Sequence, residues 1–259
     1  VDVYQIENNN LFHKMISSGK DILVPNCLWG DSEYVYDQNS WKEPSRWEDL
    51  DTFHPEGVSN KFFYPQHFRN SGNECHAIYK PIAGERPLWD FTDGNLASRE
   101  VATYLASEAL NLNCVPLTIL REGPFGLGSV QYWIDDVEDV GERYSDRSAG
   151  LQKIALLDAV VNNTDRKIGQ LLYKGDQIFG CDHGVTFHEE YKLRTVIWQF
   201  AGLPFSSEEI SKLENFKCDL SNYLTETEIA ALGERVANLL HEGTFPLPPT
   251  DWPAIPWPP

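Results

Sequence analysis

The fold of this chain is decided by residues 151–184, LQKIALLDAVVNNTDRKIGQLLYKGDQIFGCDHG. Leu151 to Val161 is an apolar run of helical length that leads directly into Asn163-Thr164-Asp165-Arg166. Two short apolar runs around Lys174-Gly175-Asp176 predict a β-hairpin, which leads to Cys181-Asp182-His183-Gly184. The pattern therefore predicts two loops, each with an aspartate, that only a small hairpin separates along the chain.

Outside this stretch, strand patterns come first and helical patterns dominate afterwards. The strand patterns lie at 22–28, 34–36, 75–79, 115–121 and 129–134. The further helical patterns lie at 7–18, 96–110, 206–215 and 225–241. This order predicts an α+β protein with a two-lobed fold, in which an antiparallel sheet and one helix precede a mostly helical part.

The domain organisation follows from the same order. Residues 1–134 are predicted to form an N-lobe. Residues 38–73 are predicted to be a long insertion in it, because they lack sustained periodicity. Residues 135–259 are predicted to form a C-lobe, which begins with the acidic stretch 135–142 as a hinge. The Pro- and Trp-rich tail 246–259 is predicted to be extended.

Composition excludes several classes of function. Of the 259 residues, 39 are Asp or Glu and 21 are Lys or Arg, which gives a net charge of -18. Such a charge repels nucleic acids and anionic bilayers, so we expect neither nucleic-acid binding nor stable membrane association. The five cysteines have no C-x-x-C spacing, and no apolar run is long enough to span a bilayer. Reduced thiols and a cytoplasmic location are therefore expected.

Four side chains have the types and order that phosphoryl transfer needs. Such a reaction requires a lysine for the phosphates, an acid that holds this lysine, metal ligands, and a carboxylate near the attacking hydroxyl. Lys80 ends a predicted strand, and Glu100 lies on the helix that follows. Asp165 and Asp182 occupy the two loops defined above, so both carboxylates can face one cleft.

These motifs resemble the kinase superfamily, in particular its lipid-kinase-like branch. Asn163-Thr164-Asp165-Arg166 and Cys181-Asp182-His183-Gly184 resemble the N-T-D-R and I-D-N-G segments of type II phosphatidylinositol 4-kinases. Gly128-Ser129-Val130-Gln131 is similar to the strand that leads to their hinge. The segments 79–91 and 192–198 also resemble a bacterial family, known best from actinobacteria, that is labelled phosphatidylinositol 3- and 4-kinase-like.

The resemblance implies a kinase-like fold and a role for each candidate residue. Lys80 would contact the α- and β-phosphates of ATP, and Glu100 would hold Lys80. Asp165 would orient or deprotonate the acceptor hydroxyl, and Asp182 would bind Mg²⁺ or Mn²⁺. The adenine pocket would be lined through the backbone by Gln131, Trp133 and Ile134.

Three positions depart from the kinase pattern. Kinases usually have Asn five residues after the catalytic aspartate as a second metal ligand, and this chain has Gln170 there. Lys167 stands where related lipid kinases often have His, and its charge is expected to help neutralise the transferred phosphate. No G-x-G-x-x-G loop is present, which leaves Ser32 of the first predicted hairpin to cover the phosphates.

The function expected from the sequence is an ATP- and metal-dependent phosphotransferase acting on a protein or a soluble small-molecule hydroxyl. The alternative is a nucleotide-binding pseudokinase that acts as a regulatory or partner-binding module, because Gln170 replaces the usual Asn. Transfer of AMP instead of phosphate, on the same fold, is a third hypothesis. A protein partner would bind through the insertion 38–73 or the tail 246–259.

Some of these residues also have interpretations that involve no catalytic role. Asp165 and Arg166 could form an ion pair at the helix end. His183 and His188 with Asp182 could bind a transition metal, although no third histidine is near in sequence. Lys192 and Arg194 could bind an anionic substrate or pair with the abundant acids.

Overall fold

The computed structural model describes residues 22–25, 64–70, 73–85, 88–92, 94–123 and 125–257. For residues 22–25, 64–70 and 73–76 it describes the backbone alone. The predicted helix 7–18, the predicted strand 34–36 and Ser32 lie outside the described residues, as do 38–63 of the predicted insertion.

The first strands form one five-stranded sheet. They are β1 (Ile22–Pro25), β2 (Tyr64–Asn70), β3 (Asn73–Pro81), β4 (Thr118–Gly123) and β5 (Gly126–Tyr132), in the order β1-β2-β3-β5-β4. The pairs β1–β2, β2–β3 and β3–β5 are antiparallel. This confirms the antiparallel sheet and the central position of the strand that ends in Lys80-Pro81.

The prediction of an irregular insertion is wrong for Tyr64–Asn70, which form β2. The register pairs Tyr64 with Tyr79 and Asn70 with Asn73. Only Ser71 and Gly72 separate the residues of the last pair along the chain. The sequence YPQHFRN lacks the alternation of apolar and polar residues by which strands are recognised, so its pairing with β3 was the decisive factor.

The other described elements include four α-helices, four short 3-10 helices and a second hairpin. The helices are α1 (Leu96–Ala109), α2 (Ala149–Val161), α3 (Ser207–Glu214) and α4 (Glu226–Glu242). The hairpin consists of β6 (Leu171–Lys174) and β7 (Gln177–Gly180). Together with the sheet these elements confirm the α+β class and the predicted order of elements.

Local sequence explains where these helices begin. Asn95 and Ser148 accept hydrogen bonds from backbone N–H groups three residues later, at the starts of α1 and α2. Thr225 and Glu228 form a capping box at the start of α4. Most apolar residues of α2 between Leu151 and Val161 are buried, which is typical of a helix packed inside a core. α2 therefore gives a fixed starting point to the loop that follows it.

The chain divides into two compact units. The first comprises Val1–Pro87 and Arg121–Trp133, and the second comprises Leu88–Leu120 and Ile134–Pro259. One boundary thus falls next to the predicted lobe boundary at 134/135, but α1 belongs to the second unit. A buried ion pair ties α1 to α4, because Nη2 of Arg99 lies 2.5 Å from Oε1 of Glu228. The functional division into lobes stays a prediction.

Residues 246–257 of the tail contain neither helix nor strand, as predicted. They pack on their own unit, where the Ala254 carbonyl accepts from the Thr195 N–H at 3.0 Å and from Nε1 of Trp198 at 2.8 Å. None of the helices in the described ranges combines the length and apolar character needed to cross a membrane.

Candidate active site

The loop that carries Asp165 begins where α2 ends. Asn162 ends the helix in the left-handed conformation (φ 55°), which asparagine adopts more readily than most residues. Its Nδ2 donates to the carbonyls of His188 and Glu190 at 3.0 and 2.7 Å, and its Oδ1 accepts from the Lys192 N–H at 2.9 Å. Asn162 therefore fixes this loop to the segment 188–192.

A buried ion pair lies behind the loop. Arg166 donates from Nε to Oδ2 of Asp158 at 3.0 Å and from Nη2 to Oδ1 at 2.9 Å, in the two-point geometry that arginine favours with carboxylates. Both residues are fully buried. Burial alone would lower the pKa of Arg166, but the adjacent Asp158 carboxylate outweighs it and raises that pKa. Arg166 is therefore charged.

The same guanidinium reaches the second loop. Nη1 of Arg166 donates to the carbonyl of Cys181 at 3.0 Å and to that of Gln170 at 3.4 Å, and Nη2 lies 2.6 Å from Nε2 of His183. Because arginine has donors only, Nε2 of His183 must accept, and the proton of the neutral ring is on Nδ1. Arg166 thus joins the loop of Asp165 to the loop of Asp182.

Asp165 faces a cation and is partly buried. Its backbone N–H donates to Oδ1 of Asn163 at 3.0 Å, and Oδ2 lies 3.3 Å from Nζ of Lys167. Burial raises the pKa of Asp165 above its ordinary value; Lys167 and Arg194 oppose this, whereas the charge of Asp182 adds to it. The two aspartates predicted to share a site are thus close enough to interact electrostatically. Asp165 pairs with Lys167, while Arg166 pairs with Asp158.

Asp182 stands at a strained position and is held by Gln170. Its φ of 58° is unusual for a residue other than glycine, and such backbone strain is concentrated at functional sites. Nε2 of Gln170 donates to Oδ2 of Asp182 at 3.2 Å, while Oε1 of Gln170 accepts from the Lys167 N–H at 2.9 Å. Since a backbone N–H requires an acceptor, this second bond determines that the amide nitrogen is the atom facing Asp182.

This arrangement bears on metal binding. Mg²⁺ and Mn²⁺ take oxygen ligands, and Mg²⁺ is commonly held by one or two carboxylates together with phosphate oxygens of the substrate. Asp182 and Asp165 supply such carboxylates, so they fit the ion. The amide nitrogen of Gln170 is not a ligand, and its role as a metal ligand stays a prediction that would require the side chain to turn over. No group of three or more His, Cys, Asp or Glu within the described ranges forms a metal cluster.

Lys80 and Gln131, two of the predicted nucleotide-binding residues of the first unit, lie on β3 and β5. Lys80 pairs with Ser129, and Ile78 pairs with Gln131. Gly128 is required there, because a Cβ atom would lie 2.4 Å from the Lys80 carbonyl oxygen. Trp133 follows β5 and is 44% exposed. The contact of Lys80 with phosphates and the adenine pocket stay predictions.

Glu100 and Ile134 belong to the second unit. Glu100 lies on α1 and is buried, with 2% of its surface exposed. Its predicted pairing with Lys80 stays a prediction. The hinge role of 135–142 is likewise untested; within it, Glu138 accepts from the Gly175 N–H at 2.8 Å and pairs with Arg143 at 2.8 Å.

Some residues that hold the site together, among them Asp158 and Asn162, were not predicted from the sequence. The sequence could have indicated the role of Asp158, because a charge inside the apolar run LLDAVV requires a buried partner. The two histidines of the alternative metal site have other roles: Nε2 of His183 accepts from Arg166, and Nε2 of His188 lies 3.0 Å from Nζ of Lys192. Nothing in the sequence indicated a role for Trp252 of the tail, although its ring lies within cation–π distance of Lys192 and Arg194.

A cavity of about 530 Å³ lies elsewhere in the second unit. α4 and the segment 244–247 form much of its wall, and Arg235 lines it together with Glu189 and Tyr191. Arg235 is directed at the core, where Nε donates to the Val160 carbonyl at 2.9 Å and Nη1 to the His188 carbonyl at 3.2 Å. The lining includes none of the predicted catalytic residues.

The solved structures that are similar to this chain have low sequence identity to it. No family model matches the chain. A crystal structure of the Golgi casein kinase is 14% identical, with a TM-score of 0.45 over 73% of this chain and 69% of that chain. The structure of that kinase with Mn/ADP bound has a TM-score of 0.45 at 13% identity, covering 73% and 70%. The Helicobacter pylori proinflammatory kinase CtkA has a TM-score of 0.42 at 10% identity, covering 73% and 90%.

Two relatives are similar in sequence. Phosphatidylinositol 4-kinase gamma 4 of Oryza sativa subsp. japonica is 27% identical over 274 residues, which cover 89% of this chain but 46% of that protein. Protein Rv2133c of Mycobacterium tuberculosis (strain ATCC 25618 / H37Rv) is 36% identical over 229 residues, covering 71% of this chain and 82% of that protein. The chain therefore belongs to the same family as Protein Rv2133c of Mycobacterium tuberculosis.

Proposed function

We propose that this chain is a kinase-like phosphotransferase that uses ATP and a divalent metal and phosphorylates a hydroxyl group. The observation that carries the proposal is the set of contacts that joins the loop of Asp165 to the loop of Asp182. The two aspartates lie in separate loops; burial raises the pKa of Asp165, and the charge of Asp182 adds to this effect. Arg166 and Gln170 connect those loops, which supports the proposal that the two carboxylates share one site.

In the proposed reaction the acceptor hydroxyl lies against Asp165. Its oxygen forms a bond to the γ-phosphorus of ATP, the bond from that phosphorus to the β,γ-bridging oxygen breaks, and ADP leaves. The hydroxyl proton passes to the Asp165 carboxylate, which acts as the general base. Lys167, whose Nζ lies 3.3 Å from Oδ2 of Asp165, would place a positive charge beside the transferred group.

Asp182 would hold the metal ion, and Asp165 is the second carboxylate within electrostatic range. A bound Mg²⁺ or Mn²⁺ would neutralise charge on the phosphates. Gln170 would restrict the Asp182 carboxylate to one orientation through its Nε2, a role that residues behind a metal ligand commonly have. Lys80, supported by Glu100, is proposed to bind the α- and β-phosphates.

One observation favours a second function, that of a nucleotide-binding pseudokinase. The residue that replaces the usual Asn presents an amide nitrogen to Asp182, so only part of the usual ligand set is in place. A protein of this type would bind ATP without transferring phosphate. Transfer of AMP would use the same carboxylates but break the bond next to the α-phosphorus.

The test is turnover of ATP labelled in the γ-phosphate, with Mg²⁺ or Mn²⁺ and with candidate hydroxyl acceptors. The matched variants are Asp165→Asn and Asp176→Asn, the latter in the exposed turn of the β6–β7 hairpin. We expect transfer by the wild type and by Asp176→Asn, and a loss of about 10²- to 10⁴-fold in Asp165→Asn. Nucleotide binding without turnover in every protein would support the pseudokinase instead.

A further inference from the structure

Arg194 lies beside the proposed catalytic loop, and in the described part of the chain not all of its guanidinium N–H groups are hydrogen-bonded. Its backbone N–H donates to the Asn163 carbonyl at 2.9 Å, and its Nε donates to the Thr164 carbonyl at 2.7 Å. Thr164 immediately precedes Asp165, and the charge of Arg194 acts on the Asp165 carboxylate. Within the described part of the chain, neither Nη atom of Arg194 has a hydrogen bond or an ion pair.

An aromatic ring restricts this guanidinium. Cζ of Arg194 lies 5.5 Å from the ring centroid of Trp252, a distance at which a cation and an aromatic face attract each other. The tail that carries Trp252 is anchored two residues later, where Ala254 accepts from the Thr195 N–H at 3.0 Å. With Nε bound on one side and the ring on one face, the two Nη groups are pre-organised as a fork.

The neighbouring cation is already neutralised. Nζ of Lys192 lies 3.2 Å from Glu190, 3.9 Å from Asp90 and 3.0 Å from Nε2 of His188, and the residue is 7% exposed. Arg194 is half-buried and no carboxylate in the described ranges lies within ion-pair distance of it. In a chain with a net charge of -18, a cation left unpaired beside a proposed active site requires an explanation.

We propose that Arg194 is a specificity-determining residue that binds a compact anionic group, a phosphate monoester or a carboxylate, on a soluble acceptor whose nearby hydroxyl is phosphorylated. The inference rests on the proposed function, because it assigns the acceptor side of the same site. The fork of an arginine matches two oxygens of such a group. Asp165 then takes the proton of a hydroxyl only a few bonds away, and the γ-phosphoryl group passes from ATP to that oxygen.

The test separates acceptor binding from catalysis by omitting ATP. Binding of sn-glycerol 3-phosphate, glycerate and glycerol is measured by calorimetry on the wild type, Arg194→Gln and Arg194→Lys. The matched control is Arg147→Gln, since Arg147 is an exposed arginine of the same unit. A second variant, Lys80→Met, removes the predicted contact with nucleotide phosphates. Circular dichroism and the unfolding midpoint establish that each variant is folded.

We expect the wild type, Arg147→Gln and Lys80→Met to bind the phosphate and the carboxylate but not glycerol. Arg194→Gln should weaken binding of both anions by about tenfold or more, the usual effect of losing a charged hydrogen-bond donor. Arg194→Lys keeps the charge but not the fork, so its affinity for the anions should lie between those of the wild type and Arg194→Gln. With ATP present, Arg194→Gln should raise the KM for glycerol 3-phosphate more than it lowers kcat.

Equal affinity in the wild type and Arg194→Gln would overturn the inference, as would the absence of anion binding to the wild type. Retention on phosphatidylinositol vesicles that Arg194→Gln abolishes would overturn the soluble acceptor. Anion binding that depends on Arg194, in a protein that forms no ADP, would uphold the anion site and refute the phosphotransferase. The two proposals can therefore fail separately.

Discussion

Replacing Arg166 with methionine tests whether one buried pair holds the two loops together. Arg166→Met keeps much of the side-chain length but removes the charge and every hydrogen-bond donor. It leaves the carboxylate of Asp158 buried, with 0% of its surface exposed and without its cation. Within the described residues, the Asp158 carboxylate then keeps one hydrogen bond, which Nδ2 of Asn163 donates to Oδ1 at 2.9 Å.

The magnitude follows from the burial of the pair. Breaking a buried ion pair by removing one partner costs about 3–5 kcal/mol, because the remaining charge is desolvated and unpaired. The carbonyls of Cys181 and Gln170 also lose their donor, so the upper part of this range is expected. Asp158→Asn in the same chain removes the stranded charge. The double variant should therefore be more stable than Arg166→Met.

The assay is urea unfolding followed by circular dichroism, on the wild type, both single variants and the double variant. The cycle should give a favourable coupling energy between Asp158 and Arg166 of about 2 kcal/mol or more, close to the upper limit for residues in contact. A cost below about 1 kcal/mol for Arg166→Met would refute the reasoning. So would a double variant whose cost is the sum of the two single costs.

Three further predictions concern the same loops. Gly180→Ala would place a Cβ 3.0 Å from Nη2 of Arg166 and 3.1 Å from Nε2 of His183, so we expect about 1–3 kcal/mol of destabilisation in urea unfolding. Gly169→Ala, where a Cβ meets nothing within 4 Å, should change stability by less than about 0.5 kcal/mol. Because the folded-state pKa of Asp165 is raised, its contribution to stability is complete below pH 3.8 and is lost as the pH rises through the folded-state pKa. Asp165→Asn removes that loss, so its unfolding midpoint relative to the wild type should rise between pH 4 and pH 7; an unchanged difference would contradict the raised pKa. Gln170→Met removes the hydrogen bond to Asp182 and should weaken Mn²⁺ binding in the presence of ATP by about 10- to 100-fold, measured by electron paramagnetic resonance of free Mn²⁺. Unchanged Mn²⁺ affinity would show that Gln170 neither orients Asp182 nor binds the metal ion.

The elements that position the site could be predicted because their signals are local. The apolar run of α2 and the hairpin β6–β7 each follow from a few adjacent residues, and so do the capping box at Thr225 and the loops of Asp165 and Asp182. The strand β2 could not be recognised in this way. Its residues are mixed in polarity, and its conformation depends on pairing with β3.

Contacts between distant residues account for the rest. Arg99 pairs with Glu228, 129 positions away, and no periodic pattern relates two such residues. Arg166 was expected to pair with its neighbour, if with anything, but its partner Asp158 lies on the preceding helix. The orientation of the Gln170 amide depends on the Lys167 N–H, a backbone donor that the sequence does not distinguish from any other.

Phosphorus NMR of the protein with ATP and Mg²⁺, in the presence of glycerol 3-phosphate, tests the central claim most directly. If Asp165 and Asp182 serve a phosphotransferase, the spectrum should show ADP and a new phosphate monoester in equal amounts, and neither should form with Asp165→Asn. Unchanged ATP with this and other hydroxyl acceptors would contradict the claim and indicate a pseudokinase. Pyrophosphate in place of ADP would contradict it in favour of AMP transfer.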